Sequence, residues 1–422
     1  MKKRIVVTEE NKRLLTNIFS LGMLQGVNYI LPLLTLPYLA RVLGPEYFGL
    51  LAFSTAAISY FMLITDYGFN LSATQQISIH RDNKDKINEI FSSVMTIKIV
   101  LMVISFIIMS VLVLNIERFS QYWAVYFITF GTVIGQVIFP VWLFQGMERM
   151  KYITYLNISA KFFFTICIFI FVQEREDYLI VPLLTSLGFL VSGVFSLFLV
   201  RKKFFVQFKW QSMAVIKKQL SEGFHIFLSS ISISFYTIST TFFLGVFTSN
   251  AIVAQFATVD KVVQAAKGLY APVSQAIYPL IGKKLHVDKL SGLNFIRKIT
   301  WLAGTGMFFV STLLFVLADP IVSLLLGDQY QESTLLLKIM AFVPFFVTLS
   351  NIYGIQTMLN LGYKKEFNCI IGVVAFFGVS LSLFLVPKYE GVGTAVTLFV
   401  VETFVALSMY LYLKMKFKKD EE

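Results

Sequence analysis

Charged side chains inside long apolar runs are the feature of this sequence that points to chemistry. A charge taken out of water is costly unless it has a partner or a ligand, so such residues are candidates for function. Lysine in this setting can attract a phosphate or diphosphate group as a point charge. The lysines predicted to contact such a group are Lys161, Lys267 and Lys98. Lys98 lies near the end of its run, where a long side chain can instead reach the lipid headgroups.

Asp66 is the acidic residue that we single out. It is followed by Tyr67, Gly68, Phe69 and Asn70, and it lies on a polar helix face. A shielded carboxylate can take up a proton, and with a polar neighbour such as Asn70 it can bind Na⁺ instead. The alternative role is a structural salt bridge or a helix cap. If Asp66 is structural, the predicted coupling carboxylates are Glu222, Asp260 and Glu402.

Cysteine and histidine positions point away from metal chemistry. Cys167 and Cys369 are isolated, and His80, His225 and His286 are far apart in the sequence. None of these residues has the spacing of a zinc site or of a disulfide framework. We therefore predict no metal, and we expect no cofactor.

Composition identifies the elements that must position these side chains. The chain is 57% hydrophobic and only 14% charged, with a mean hydropathy of +0.74, which excludes an ordinary soluble fold. The apolar runs are about 20 residues long, the length that crosses a bilayer as a helix. Because the runs are continuous and do not alternate with polar residues, they favour helices over an outer-membrane barrel. We predict an all-α polytopic membrane protein with about 12 transmembrane helices.

The basic residues predict the orientation in the membrane. Most of the 36 Lys and Arg residues fall in one set of loops, whereas the opposite loops hold only Arg41, Arg118, Arg175 and Lys388. Short cytoplasmic loops are enriched in Lys and Arg, so both termini are predicted to be cytoplasmic. The net charge of +12 then reflects a surface facing anionic lipids rather than nucleic acid.

Polar residues recur at helical spacing along several spans, which marks a helix face turned to protein or water. The richest stripes are Asn17, Gln25, Asn28, Pro32 and Thr35 in the first span, Thr55, Ser59, Asp66 and Asn70 in the second, Glu222, His225, Ser229, Ser232, Tyr236 and Ser239 in the seventh, and Asp260, Gln264, Lys267, Ser274 and Tyr278 in the eighth. We predict that these helices line a central polar cavity. The alternative is hydrogen bonding between helices, which hydroxyl side chains commonly supply in membrane bundles.

A faint internal repeat suggests two halves. Val42–Ser54 aligns with Val246–Thr258, and Gln145 aligns with Gln356 at a similar offset. Six helices in each half would make the repeats parallel, related by an axis along the membrane normal. The predicted domains are an N-terminal six-helix lobe at 1–210, with a cytoplasmic linker from about 201, and a C-terminal six-helix lobe at 211–422, with a cytoplasmic tail.

Four motifs resemble one family of membrane proteins. They are Leu36–Gly49, Asp66–Thr74, Pro140–Glu148 and Pro272–Pro279, and their pattern is similar to that of bacterial O-antigen and capsule flippases, the Wzx-type polysaccharide exporters. The resemblance implies the fold of the multidrug, oligosaccharidyl-lipid and polysaccharide exporter superfamily, with two six-helix lobes around a central cavity. One departure is Gln75, where many relatives have Arg. If that Arg receives the diphosphate in relatives, another cation must do so here.

The resemblance also implies a function. Such flippases move undecaprenyl-diphosphate-linked oligosaccharide repeat units from the cytoplasmic to the external leaflet of the bacterial inner membrane, for O-antigen or capsule assembly. They break no bond, so the expected protein is a transporter and not an enzyme. A proton or sodium gradient is the expected driving force, with ion-coupled alternating access. The expected partners are the lipid-linked glycan, the bilayer, and a polysaccharide polymerase with its chain-length regulator.

Two other functions are weighed against the flippase. A drug or metabolite exporter of the same superfamily would need acidic residues facing an organic cation, whereas Lys161 and Lys267 favour an anion. A membrane glycosyltransferase or polymerase would usually carry catalytic residues on a large external loop, and every predicted loop is short.

Overall fold

The computed structural model describes residues 9–237 and 239–421, and this part of the chain is built from helices and contains no strand. The helices are α1 Glu9–Asp66, α2 Phe69–Ile79, α3 Lys84–Asn115, α4 Glu117–Ser120, α5 Trp123–Ile138, α6 Val141–Gly146, α7 Met150–Phe171, α8 Ile180–Phe204, α9 Met213–Thr237, α10 Ser239–Phe247, α11 Asn250–Gly268, α12 Ala271–Val287, α13 Lys289–Val316, α14 Ala318–Leu325, α15 Ser333–Met340, α16 Val343–Ser350 and α17 Lys364–Glu421. Short 3₁₀ turns occupy Arg175–Leu179 and Asp328–Tyr330, and a π-helix occupies Asn351–Leu359.

Eight segments of the described residues are long and apolar enough to cross a membrane. Two of them, Gly22–Ile79 and Lys364–Lys418, have 58 and 55 residues. At about 1.5 Å of rise per residue, each is long enough for two crossings. Both contain non-helical breaks, at Gly44 (φ 68°) and at Glu390 (φ 48°). The predicted all-α polytopic fold is confirmed, and the exact number of twelve helices stays a prediction.

The outward surface of α3 has the character expected next to lipid. Ile99, Val103, Ile107 and Val111 are 41–56% exposed on this helix, while Val94 is fully buried. A soluble protein rarely exposes so continuous an apolar surface. In a bilayer the same surface is satisfied by hydrocarbon, so α3 packs against protein along one face and against lipid along the other.

The first of two packing units combines the described residues up to Leu31 with Ser54–Ile231. Within it, α5 and α8 approach closely because glycines occupy the contact. A Cβ on Gly131 would lie 2.8 Å from the Cβ of Ser186, and one on Gly135 would lie 2.5 Å from the backbone of Phe189. Small residues four positions apart allow this approach in membrane helices. Because the two helices are this close, the Ser186 hydroxyl donates a hydrogen bond to the Ile128 carbonyl at 2.6 Å.

The chain between α8 and α9 belongs to the same unit. It is not helical there and is held to α3 by two hydrogen bonds. The Gln207 amide donates to Asn88 Oδ1 and the Lys209 amide donates to Ser92 Oγ, both at 2.9 Å. Helix α8 continues to Phe204, so the linker begins about one turn after the position near 201 that the sequence predicts.

The second unit combines Pro32–Phe53 with the chain from Ser232 onward. The predicted lobes at 1–210 and 211–422 stay a prediction. The packing units differ from them in one respect, because Pro32–Phe53 packs with the later residues. Within this unit the two segments of the sequence repeat contact each other. Asn250 Nδ2 donates to Glu46 Oε1 at 2.7 Å, and these two residues occupy equivalent positions of the repeat.

A second pair of repeat positions makes similar contacts in the two units. In the first, the Thr74 hydroxyl of α2 lies 3.3 Å from Gln145 Oε1 and donates to it. In the second, Gln356 Nε2 donates to the Ser274 hydroxyl of α12 at 2.9 Å, and Ser274 donates to Asn351 Oδ1 at 2.8 Å. Gln356 is fully buried. At both aligned glutamines, the side-chain amide is therefore hydrogen-bonded to a hydroxyl group on a neighbouring helix.

Candidate functional site

Asp66, Asn70 and Lys98 form one buried polar cluster in the first unit. The Lys98 ammonium lies 3.9 Å from Asp66 Oδ1, and Asn70 Nδ2 donates to the same oxygen at 2.7 Å. The side chains of Lys98 and Asp66 are 2% and 18% exposed. Burying either charge alone would be costly, so the two ions and the amide satisfy one another. The expectation that Lys98 reaches the headgroups is wrong, because its side chain turns inward to Asp66.

The backbone around Asp66 explains how this cluster forms. Helix α1 ends at Asp66, and the next two residues adopt left-handed conformations, Tyr67 with φ 48° and Gly68 with φ 72°. Glycine adopts this conformation readily, whereas for tyrosine it is uncommon. The break redirects the chain into α2, so that Asn70, one turn later, faces back to Asp66. The Tyr67 ring stacks on Phe227 at 4.5 Å between centroids.

Lys161 lies apart from this cluster on α7. Its ammonium donates to Asn28 Oδ1 of α1 at 2.6 Å, and the side chain is half-buried. Asn28 was part of the polar stripe predicted for the first span. The contact joins Lys161 to that stripe within the first unit and leaves part of the Lys161 side chain accessible.

Glu222 is exposed on α9 and contacts α2. It accepts a hydrogen bond from Gln76 Nε2 and lies 3.9 Å from the Lys218 ammonium, one turn away on its own helix. Sequence reasoning did not identify Gln76. The signal available was its position just after the Asp66–Thr74 motif, next to Gln75.

In the second unit, Glu402 of α17 and Lys267 of α11 interact electrostatically. Glu402 is 8% exposed and Lys267 is half-buried. Asp260 is also half-buried on α11, two helical turns before Lys267, so both belong to one face of the helix. Each unit therefore holds a buried carboxylate that interacts electrostatically with a lysine on another helix, and in the first unit the two form an ion pair.

Some of the predicted polar stripe cannot be placed. The side chains of His225, Ser229, Ser232, Tyr236 and Ser239 lie outside the described residues. Within the described part, no group of three His, Cys, Asp or Glu side chains comes together as a metal site. The roles assigned above to lysines and carboxylates stay predictions.

Two of the motifs that carried the family resemblance meet in the first unit. Thr74, the last residue of the Asp66–Thr74 motif, donates to the Trp142 carbonyl at 3.2 Å, inside the Pro140–Glu148 motif. Gly146 packs so closely on Ile77 that a Cβ would lie 2.6 Å from it. The motifs therefore build one contact between α2 and α6, beside the Asp66 cluster.

Solved structures with the same fold are transporters. An inward-facing multidrug resistance MATE family transporter of the MOP superfamily superposes with a TM-score of 0.70 at 13% identity, covering 92% of this chain and 95% of that chain. The lipid II flippase MurJ, in an inward closed conformation, gives a TM-score of 0.68 at 13% identity and covers 95% and 87%. At this identity the likeness concerns the fold alone.

Sequence relatives are closer. A putative O-antigen transporter of Escherichia coli (strain K12) is 35% identical over 399 residues, which cover 94% of this chain and 96% of the relative. A putative O-antigen transporter of Shigella dysenteriae is 28% identical over 94% of this chain and 99% of its own length. The family described as "Polysaccharide biosynthesis protein" matches residues 14–285. This chain is a multi-pass membrane protein that belongs to the polysaccharide biosynthesis protein family.

Proposed function

We propose that the protein is a flippase that moves undecaprenyl-diphosphate-linked oligosaccharide repeat units from the cytoplasmic to the external leaflet of a bacterial inner membrane. The observation that carries the proposal is the 35% identity to a putative O-antigen transporter over nearly the whole of both chains. The fold shared with a lipid II flippase supports it. A drug exporter of the same superfamily fits less well, because the relatives matched along the chain are named for O-antigen.

Lys161 and Lys267 are proposed to attract the diphosphate. Both are half-buried, so part of each side chain stays accessible to a ligand. Lys98 is removed from this role, since its ammonium is buried against Asp66. With Gln75 in place of the cation found in many relatives, these lysines supply the positive charge that a diphosphate requires.

Asp66 is proposed to couple transport to a proton gradient. Na⁺ is disfavoured there because the Lys98 ammonium already lies beside the carboxylate and Asn70 presents its NH₂ group rather than its carbonyl oxygen. A proton would neutralise Asp66 and release Lys98 from the ion pair. A ligand shifts a conformational equilibrium only if its affinity differs between the two states. The change of partner at Lys98 would make the proton affinity of Asp66 differ between them. Glu402, which interacts electrostatically with Lys267, is the second candidate for this role.

Other parts of the proposal rest on the loop charges and on the relatives. Both termini are proposed to be cytoplasmic, because one set of loops holds an excess of Lys and Arg. A polysaccharide polymerase and a chain-length regulator are the proposed partners in the assembly of O-antigen. A 34% identical segment of 150 residues in a Staphylococcus aureus capsular polysaccharide biosynthesis protein, CapF, keeps capsule as the second candidate product.

The deciding experiment uses vesicles that contain this protein alone. An undecaprenyl-diphosphate oligosaccharide placed in one leaflet should appear in the other with its mass unchanged. Lys161→Gln and Lys267→Gln should reduce the rate at least about tenfold with the protein level unchanged, and Arg at either site should restore part of it. A change in mass would indicate an enzyme, and unimpaired flipping in both Gln variants would remove the lysines from the mechanism.

A further inference from the structure

A cavity of about 830 Å³ lies within the second unit. It is bounded by α13, α16, the π-helix and α17. Its volume is in the range of about 300–1,000 Å³ that small-molecule sites occupy. Neither Lys267 nor Glu402 lines it, so the transport proposal does not account for it.

The walls of this cavity are suited to hydrocarbon. Trp301, Phe345, Leu349 and Tyr410 line it, and the Trp301 side chain is 76% exposed from the protein. The Tyr353 and Tyr410 rings lie 5.5 Å apart at its wall. In a membrane protein, an apolar pocket with exposed aromatic rings is satisfied by lipid chains rather than by water.

Cations line the same cavity. Arg297 of α13 and Lys414 and Lys418 of α17 contribute to it, and no Asp or Glu belongs to the lining within the described residues. Lys414 and Lys418 are four positions apart on one helix face, so both can approach the same bound anion. All three cations belong to the loops and ends that the charge bias places on the cytoplasmic side.

We propose that this cavity binds an anionic membrane lipid with two phosphate groups, of the cardiolipin type. Two phosphates compensate three cations better than the single phosphate of an ordinary phospholipid does, and several hydrocarbon chains match the apolar walls. Basic pockets between transmembrane helices on the cytoplasmic side are the recognised setting for such headgroups. The proposal goes beyond transport, because the site is separate from the residues assigned to the glycolipid.

The bound lipid would contact the π-helix directly. Tyr353 and Thr357 of that helix line the cavity, while Gln356 is turned to α12 and bonded to Ser274. A π-helix is rare and is often found at functional sites. Lipid binding therefore stabilises the segment that holds α12, and cardiolipin should raise the melting temperature of the purified protein.

The fluorescence of Trp301, which lines the cavity, can measure lipid binding. The purified full chain is placed in phosphatidylcholine nanodiscs and titrated with cardiolipin carrying brominated acyl chains, which quench a nearby tryptophan. Trp301→Phe gives the signal from the other tryptophans. We expect saturable quenching of Trp301 by brominated cardiolipin and only weak, unsaturated quenching by brominated phosphatidylcholine with the same chains.

Two matched double variants distinguish specific binding in the cavity from nonspecific attraction of an anionic lipid to basic residues. Arg297→Gln with Lys414→Gln should weaken cardiolipin binding about 30-fold. Lys298→Gln with Lys365→Gln removes two exposed cations that do not line the cavity and should leave binding unchanged. Equal loss in both double variants, or equal quenching by the two lipids, would overturn the proposal. Displacement of cardiolipin by sugar-free undecaprenyl diphosphate at lower concentration would overturn it too, and would assign the cavity to the transported lipid.

Discussion

A carboxylate and an ammonium buried together are stable only as a pair. The Lys98 side chain is 2% exposed, and Asp66 with its Asn70 donor satisfies it. Such a pair contributes little net stability compared with apolar residues, but removing one partner leaves an uncompensated charge. Lys98 and Asp66 should therefore be judged together in any mutational study.

The stability of this pair gives the first prediction. Lys98→Met should lower the free energy of unfolding by about 3 kcal/mol, because Asp66 loses its counter-ion in a buried site. The double variant Asp66→Asn with Lys98→Met should recover most of that loss. Thermal unfolding in detergent measures both. If the single and double variants are equally unstable, the two charges do not depend on each other.

A transport assay tests the role of Asp66 separately from its stability. In vesicles with an imposed proton gradient, Asp66→Asn should abolish gradient-driven accumulation of flipped glycolipid and leave slow equilibration intact. Equilibration serves as the control for folding. An imposed Na⁺ gradient should have no effect on the parent protein. Accumulation equal to that of the parent would make Asp66 structural and would transfer coupling to Glu222, Asp260 or Glu402.

Sequence reasoning identified Asp66, Asn70 and Lys98 but placed them in two different roles. Depth in an apolar run shows that a charge needs a partner, and it does not show which partner. The pairing depends on a left-handed turn at Tyr67 and Gly68, which sets the angle between α1 and α2. Glu402 and Lys267 are also distant in sequence, so hydropathy alone could not predict their electrostatic interaction.

At the scale of helices, close contacts depend on glycine. Gly49 of α1 lies against α11 so tightly that a Cβ would be 1.7 Å from the Asn250 carbonyl oxygen. No side-chain movement can relieve this contact, because the opposing atom belongs to the backbone. By contrast, a Cβ on Gly306 of α13 would have no heavy atom within 4 Å.

This contrast predicts opposite effects of the same substitution. Gly49→Ala should destabilise the protein by about 3 kcal/mol, since α1 and α11 must separate. Gly306→Ala should stabilise it by about 0.5–1 kcal/mol, because alanine is the better helix former in open space. Melting temperatures of the two variants provide the measurement. A tolerated Gly49→Ala would mean that the two segments are not in contact in the membrane.

The π-helix is an element that the sequence could not reveal. Its residues, Asn351–Leu359, follow α16 without a proline or glycine at the junction that would mark a change of helix type. The wider turn is supported from outside the segment, through the bonds of Gln356 and Asn351 to Ser274. Hydropathy cannot distinguish this stretch from an ordinary apolar helix, because composition records burial and not the hydrogen-bond pattern.

For the molecule as a whole, composition was sufficient to predict the class of protein. It was insufficient to predict which residues belong to each packing unit. Apolar runs predicted a helical membrane protein correctly. They could not predict that packing would group Pro32–Phe53 with the chain after Ser232, because that grouping depends on specific contacts such as Glu46 with Asn250. Adjacent spans also follow each other without a loop, in 58-residue helical segments broken at Gly44 and Glu390.

The distribution of basic residues predicts the topology in cells. After replacement of the free Cys167 and Cys369 by alanine, a cysteine at Lys365 should react only with a membrane-permeant maleimide, and one at Lys388 should also react with an impermeant one. Glu390, where the long C-terminal helical segment breaks, lies close to Lys388. The reverse pattern of labelling would invert the orientation and place both termini outside.

The bond between Glu46 and Asn250 has a consequence for the ancestry of the chain. A position can contact its own duplicate only close to the axis that relates the copies, as in the isologous interface of a symmetric dimer. If the repeat arose by fusion of two identical genes, an ancestral homodimer would have faced Glu with Glu or Asn with Asn at this point. Two facing carboxylates repel each other, whereas Glu and Asn form a donor–acceptor pair. Fusion would have let the two positions diverge, and the chain would then have become unable to assemble from two identical halves.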